Sequence, residues 1–181
     1  MMIEDGTGTG RKAKVSLDNL LTTLSVKIDE MAYANARGKV WTIPLDAVAP
    51  SGATWFVLIV NGGLTTYVVH RLFLATSVAG VFRISKVTGT PAGGTAITPS
   101  SMNLSTSGLP DMLTTQYGTS ITGLTESSII APIYLPAGQP VNVETASGIW
   151  LPPGTLGLAV KAPAAATVNG FISFYEETPL D

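Results

Sequence analysis

Three kinds of residue in this chain have the chemistry to act on a partner molecule: one imidazole, a few scattered carboxylates, and a glycine-rich stretch followed by cations. His70 is the single histidine of the 181 residues, and there is no cysteine. A catalytic triad or a histidine metal site would therefore have to use His70, and zinc sites of the usual composition are excluded. His70 lies within Tyr67-Val68-Val69-His70-Arg71-Leu72-Phe73-Leu74. Strand alternation turns it to the same side as Val68 and Leu72, the setting of a hydrogen-bonded strand histidine rather than a general base. No G-x-S-x-G nucleophile elbow occurs.

Glycoside hydrolysis needs only two carboxylates, so Asp111, Glu126 and Glu144 are the candidates within the body. Asp111 follows Pro110 in a turn, Glu126 precedes Ser127-Ser128 in a loop, and Glu144 sits on the polar face of an alternating strand. None has an aromatic-rich neighbourhood in sequence to hold a sugar ring, so all three read as solvated surface acids. The expectation is a protein without catalytic residues, metal or cofactor, one that binds or builds.

Gly6-Thr7-Gly8-Thr9-Gly10-Arg11-Lys12 has the look of a phosphate loop but not its context. A phosphate loop needs a buried strand before it and a helix after it, so that amides and the helix N-terminus converge on the anion. Here no strand precedes the glycines, Arg11 replaces the lysine, and Ala13 follows Lys12. Arg11, Lys12 and Lys14 would give only weak, salt-sensitive phosphate contacts, and nucleic acid is not an expected partner.

The elements that carry these residues divide into an arm with linker, residues 1–36, and a body, residues 37–181. Twelve of the 22 formal charges lie in residues 1–46, although only 12% of the whole chain is charged. An average soluble domain carries about 25%, so the body's surface is unusually neutral and suits a subunit that buries several faces in an assembly. The arm has too little apolar surface to offset the ordering of its own backbone. Leu20, Thr22, Leu24, Val26 and Ile28 form a strand-like row, and 29–36 reads as one or two helical turns with Asp29 as N-cap.

The body reads as strand after strand: Val40 to Leu45, Trp55 to Val60, Thr66 to Leu74, Val81 to Val87, Ile129 to Leu135, Val141 to Glu144, Leu156 to Lys161 and Phe171 to Tyr175. Asn61-Gly62-Gly63 predicts a hairpin joining the second and third of these. Residues 88–128, rich in Thr, Ser and Gly, read as a long excursion at one end, with a short hairpin near Tyr117 to Leu124 and a place for oligomer contacts. About eight strands with long connections predict an all-β, jelly-roll-like β-sandwich with an extended N-terminal arm. No run of 18 apolar residues exists, so no membrane span is expected. The opening Met1 to Gly6 lacks a basic region followed by an apolar one, and the expectation is synthesis in, and initial residence in, a cytoplasm.

One stretch of text is distinctive. Glu4-Asp5-Gly6-Thr7-Gly8-Thr9-Gly10-Arg11-Lys12-Ala13-Lys14-Val15, followed by Asp18-Asn19-Leu20, resembles the leader of a group of tailed-bacteriophage virion proteins. In that group a D-G-T-G-T/S-G-K/R-x-A-K-V segment, then a short D/N-N-x-L stretch, opens proteins that decorate the head or form fibres. The resemblance covers residues 3–28. The body is similar in architecture only, with Pro152-Pro153-Gly154 as the turn and Phe171 to Glu177 as the aromatic final strand. The resemblance implies a capsid decoration (cement) protein, made in the host cytoplasm and carried on the outer surface of the virion, as a homotrimer. It implies attachment to the major capsid protein through Asp5, Gly6, Thr7, Gly8, Thr9, Gly10, Arg11, Lys12, Lys14, Val15 and Leu20. The alternative is a tail or head-fibre module that recognises a host surface glycan or protein through the 88–128 segment.

Overall fold

Alternating apolar residues punctuated by Gly, Pro and Asn do fold as strands almost throughout. The computed structural model describes residues 2–4, 12–14, 34–105, 108–111 and 113–177. Two short strands, β1 (Met2–Glu4) and β2 (Lys12–Lys14), pair antiparallel in a sheet of their own, so a strand does precede the glycine-rich stretch, where the sequence predicted none. Ten more follow: β3 (Val40–Val48), β4 (Trp55–Asn61), β5 (Tyr67–Thr76), β6 (Gly80–Ala92), β7 (Thr95–Ala96), β8 (Ser100–Ser101), β9 (Leu113–Leu135), β10 (Val141–Leu151), β11 (Gly157–Lys161) and β12 (Val168–Glu176). They form a front sheet, β10-β5-β12-β3-β8, and a back sheet, β4-β11-β6-β9-β7, both antiparallel. From β3 to β6, and again from β9 to β12, every connection crosses from one sheet to the other. That alternation makes the sandwich a jelly roll.

The core between the sheets is aromatic at its front. The Trp41 ring lies 5.7 Å from Phe174 in a stacked pair and 6.0 Å edge-on from Tyr67. Phe56 and Phe82 meet edge-on at 6.0 Å from the back sheet. Each buried ring or large aliphatic side chain contributes about 1.5–3 kcal/mol. The back sheet also hides apolar residues on its other face: Trp55, Leu58, Val87, Ile121 and Ala159 form a second buried cluster. The strand β9 makes this possible. Its first half pairs with β4 (Ile121↔Trp55 to Leu113↔Asn61) and its second half with β6 (Thr122↔Ala92 to Leu135↔Gly80). The back sheet thus closes on itself, and the run Trp55 to Ile59 is buried at every position.

The change of partner along β9 happens where β6 and β9 nearly touch. Gly89 (φ 111°) and Gly123 (φ 76°) face each other, and a Cβ on Gly89 would stand 2.2 Å from the Gly123 carbonyl oxygen. Only glycine permits both the backbone angles and the approach.

Two sequence expectations are corrected here. The Asn61-Gly62-Gly63 segment is not a hairpin turn, because β4 lies in the back sheet and β5 in the front. Asn61 is buried, and its side chain organises the crossing instead. Its Nδ2 donates to the carbonyls of Thr65 and Leu151, each at 2.7 Å, while its Oδ1 accepts from the Gly63 amide at 3.0 Å. The 88–128 segment is mostly strand: it holds the end of β6, then β7, β8 and the first half of β9, and Tyr117 to Leu124 runs straight through β9 instead of turning as a hairpin. Threonine and serine suit a strand with one wet face, so a polar composition concealed the pairing. The helix predicted over 29–36 is helical at 34–36, the rest lying outside the described residues. It ends in paired bonds from the Lys39 amide to Ala34 O (2.8 Å) and from the Gly38 amide to Asn35 O (2.9 Å). This is a Schellman closure around Gly38.

Replacing Asn61 with alanine strands the Leu151 and Thr65 carbonyls in the interior. The variant is expected to lose about 2–3 kcal/mol of unfolding free energy with an unchanged urea slope, measured by equilibrium urea denaturation.

Candidate functional site

Of the residues expected to form the partner-binding arm, Lys12 and Lys14 lie on β2, with Glu4 and Met2 as their Cα partners across the ribbon. Asp5, Gly6, Thr7, Gly8, Thr9, Gly10, Arg11, Val15 and Leu20 lie outside the described residues. The ribbon pairs with neither large sheet among the described residues. Each of its strands therefore has one edge engaged and one with no strand partner among the described residues.

The body carboxylates are placed apart, each in its own setting. Glu126 on β9 accepts from the Ser85 hydroxyl at 2.7 Å, on the back sheet. Glu144 on β10 accepts from Asn142 Nδ2 at 2.9 Å and from Arg71 Nη2, on the front sheet. Asn142 and then Arg71 hold the Glu144 carboxyl below its ordinary range. Asp111 stands in the turn before β9, where its carbonyl oxygen accepts from the Tyr67 hydroxyl at 3.1 Å. Burial pushes that hydroxyl's pKa up, so it remains a donor. Among the described residues no three His, Asp or Glu side chains gather as a metal site.

His70 departs from the alternation read in the sequence. Val68 belongs to a small cluster on the outer face of the front sheet with Ala34, Val40 and Tyr175, whereas Leu72 lies in the central core. The two therefore face opposite ways. A bulge between them accounts for this: Val69 pairs with Phe174 and Arg71 with the very next residue back, Ser173, leaving His70 unpaired in the ladder. The His70 ring sits 6.4 Å from Tyr175.

What the body offers to partners is surface. A groove of about 310 Å³ runs along the start of β9, lined by Ile97, Pro99, Leu109, Pro110, Leu113 and Thr115 among others. No ionisable side chain lines it among the described residues, so it has no group for acid–base work. Large apolar side chains are exposed at both ends of the sandwich. Leu64, Met102, Leu104 and Leu109 lie toward the end where β4 finishes, Val81 and Tyr134 toward the end where it begins, and Ile129 and Ile130 between. Sequence reading missed these because exposure depends on which strand covers which. Tyr134 and Val81 become neighbours only through the β6–β9 register.

No family model, curated protein or solved structure matches this chain.

The Glu144 setting gives a direct pH test. A carboxyl depressed on folding contributes stability above its ordinary value of 4.5 and loses it as the pH falls through the lower folded-state value. Carbon-13 NMR of the Glu144 side chain is expected to show a midpoint below 4.5, moving up in both Asn142→Ala and Arg71→Met.

Proposed function

We propose that this chain is a structural virion protein, a capsid decoration (cement) protein that attaches to the major capsid protein through its N-terminal arm. It stands on the outer surface of the head as a homotrimer and stabilises it. The observation that carries this reading is the arm's own pairing. Met2–Glu4 and Lys12–Lys14 make a two-stranded ribbon separate from the body's sheets, and the D-G-T-G-T-G-R segment joins its strands.

A ribbon with unengaged strand edges is suited to add onto a neighbouring sheet, main-chain bonds giving affinity and side-chain pockets giving selectivity. Ordering the linking glycines costs entropy. Several copies of the chain at one capsid site offset that cost, because the first attachment raises the effective concentration of the next. The jelly roll supports the same reading from its surface, which carries few charges and keeps large apolar side chains exposed at both ends. Such a body is fit to stand shoulder to shoulder with others, and its closed core leaves the arm free to serve as the attachment device.

The experiment is a deletion of residues 1–16. The truncated protein is expected to keep the thermal unfolding midpoint of the full chain by circular dichroism, yet to fail to co-sediment with capsids that lack the protein. Co-sedimentation at the full chain's level would place attachment on the body and overturn the reading.

A further inference from the structure

One exposed apolar end of the sandwich carries a pair of cations, and the other presents an exposed carboxylate. At the end where β4 begins, Lys161 on β11 and Arg83 on β6 are direct Cα partners. Both alternate with core residues, Val160 and Ala162 on one strand and Phe82 and Ile84 on the other. Both therefore emerge on the outer face of the back sheet. Like charges directly opposite destabilise a sheet, and neither cation has an acidic partner among the described residues. The Lys161 ammonium instead lies 5.2 Å from the centroid of the Trp55 ring. Beside this pair stand the exposed side chains of Val81 and Tyr134, cross-strand partners, the tyrosine 64% exposed. No ionisable acid or base occurs in the sixteen positions from Ser127 to Asn142 other than Tyr134.

The opposite end is the complement. Leu104 is fully exposed there, Leu64 is 90% exposed and Leu109 is 64% exposed. Trp41 Nε1 donates to the Gly108 carbonyl at 2.8 Å, and the Tyr67 hydroxyl to that of Asp111 at 3.1 Å. These bonds fix the backbone that presents Leu109 and Asp111. Lys39 at that end is already neutralised by Glu176, at 2.8 Å. Asp111 is exposed, and no cation bonds its carboxylate among the described residues. Six residues of β4, Trp55 to Val60, separate the cationic row from Asn61, roughly 20 Å of strand.

We propose that copies of this chain associate head to tail through these two surfaces. The Arg83–Lys161–Val81–Tyr134 surface of one copy seats the Asp111–Leu109–Leu104–Leu64 end of the next. An acid meets the uncompensated cation pair, and the exposed aliphatic side chains cover the tyrosine and valine. A contact between two different patches of one chain is heterologous, and it repeats into a ring where its rotation closes and into a filament where it does not. The contact gives the like-charge pair a counter-charge that no described residue of its own chain supplies. It involves no arm residue, so it stands or falls separately from capsid attachment.

The test uses full-length protein throughout. Light scattering after gel filtration is expected to give a mass above that of one copy for the parent chain. Two double variants are then made, Arg83→Glu/Tyr134→Ser and Leu109→Ser/Asp111→Lys, each damaging one surface. Each alone is expected to be monomeric with a parental circular dichroism spectrum. Mixed in equal amounts they are expected to form a heterodimer, because each retains the surface that the other lacks. A monomeric parent, or a mixture that stays monomeric, overturns the proposal. Should either variant fail to fold, carbodiimide coupling of isotope-mixed parent protein decides. A peptide joining Asp111 of one copy to Lys161 of another supports the contact, and its absence overturns it.

Discussion

A sheet packed against a second sheet normally has one face to hide, but the back sheet of this jelly roll has two. Leu58 and Ala159 are as thoroughly buried on its outer face as Ile59 and Val160 are on its inner one. Water must be kept from both, and among the described residues no helix covers either. The solution is a single strand, β9, long enough to pair with β4 and then with β6. The glycine crossing at 89 and 123, the burial of the whole Trp55 to Ile59 run and the course of the 88–128 segment all follow from that one closure.

The same closure determines what is left for partners. The second half of β9 is covered on one side by β6, and its outward side chains, Ile130 and Tyr134, remain in solvent. Pro132 sits between them, and a proline on such a strand withholds a backbone donor from any strand that would add there. The edge is thereby protected against indiscriminate pairing, while its side chains stay available for a face-to-face contact. The arm's ribbon forms a sheet apart from the body.

Much of the architecture is legible along the chain. Alternation in Leu156 to Lys161, the β-branched and aromatic runs at Val40, Trp55 and Phe171, and the turn residues between them mark strands without ambiguity. What alternation does not encode is partnership. Asn61-Gly62-Gly63 has hairpin chemistry locally, yet the buried Asn61 carboxamide binds Leu151, 90 positions away, and sends the chain to the other sheet. His70 was read by counting twos, and one bulge reverses the count. The threonine-rich half of β9 looked like a loop because its polarity answers to solvent, not to its backbone. Least legible is the opposition of Arg83 and Lys161, which exists only in the register of β6 against β11.

The two-partner pairing of β9 also shapes how the molecule opens. A hairpin can fray from its end, one pair at a time, without disturbing distant strands. Freeing β9 would expose both buried clusters of the back sheet together, since Ile121 belongs to the outer cluster and Ile133 to the inner. The amides of this strand that bond within the sheet should therefore exchange with solvent only through openings that approach global unfolding. A sandwich so closed is a stiff block, and a stiff block transmits load from the point where it is attached to the neighbours it touches.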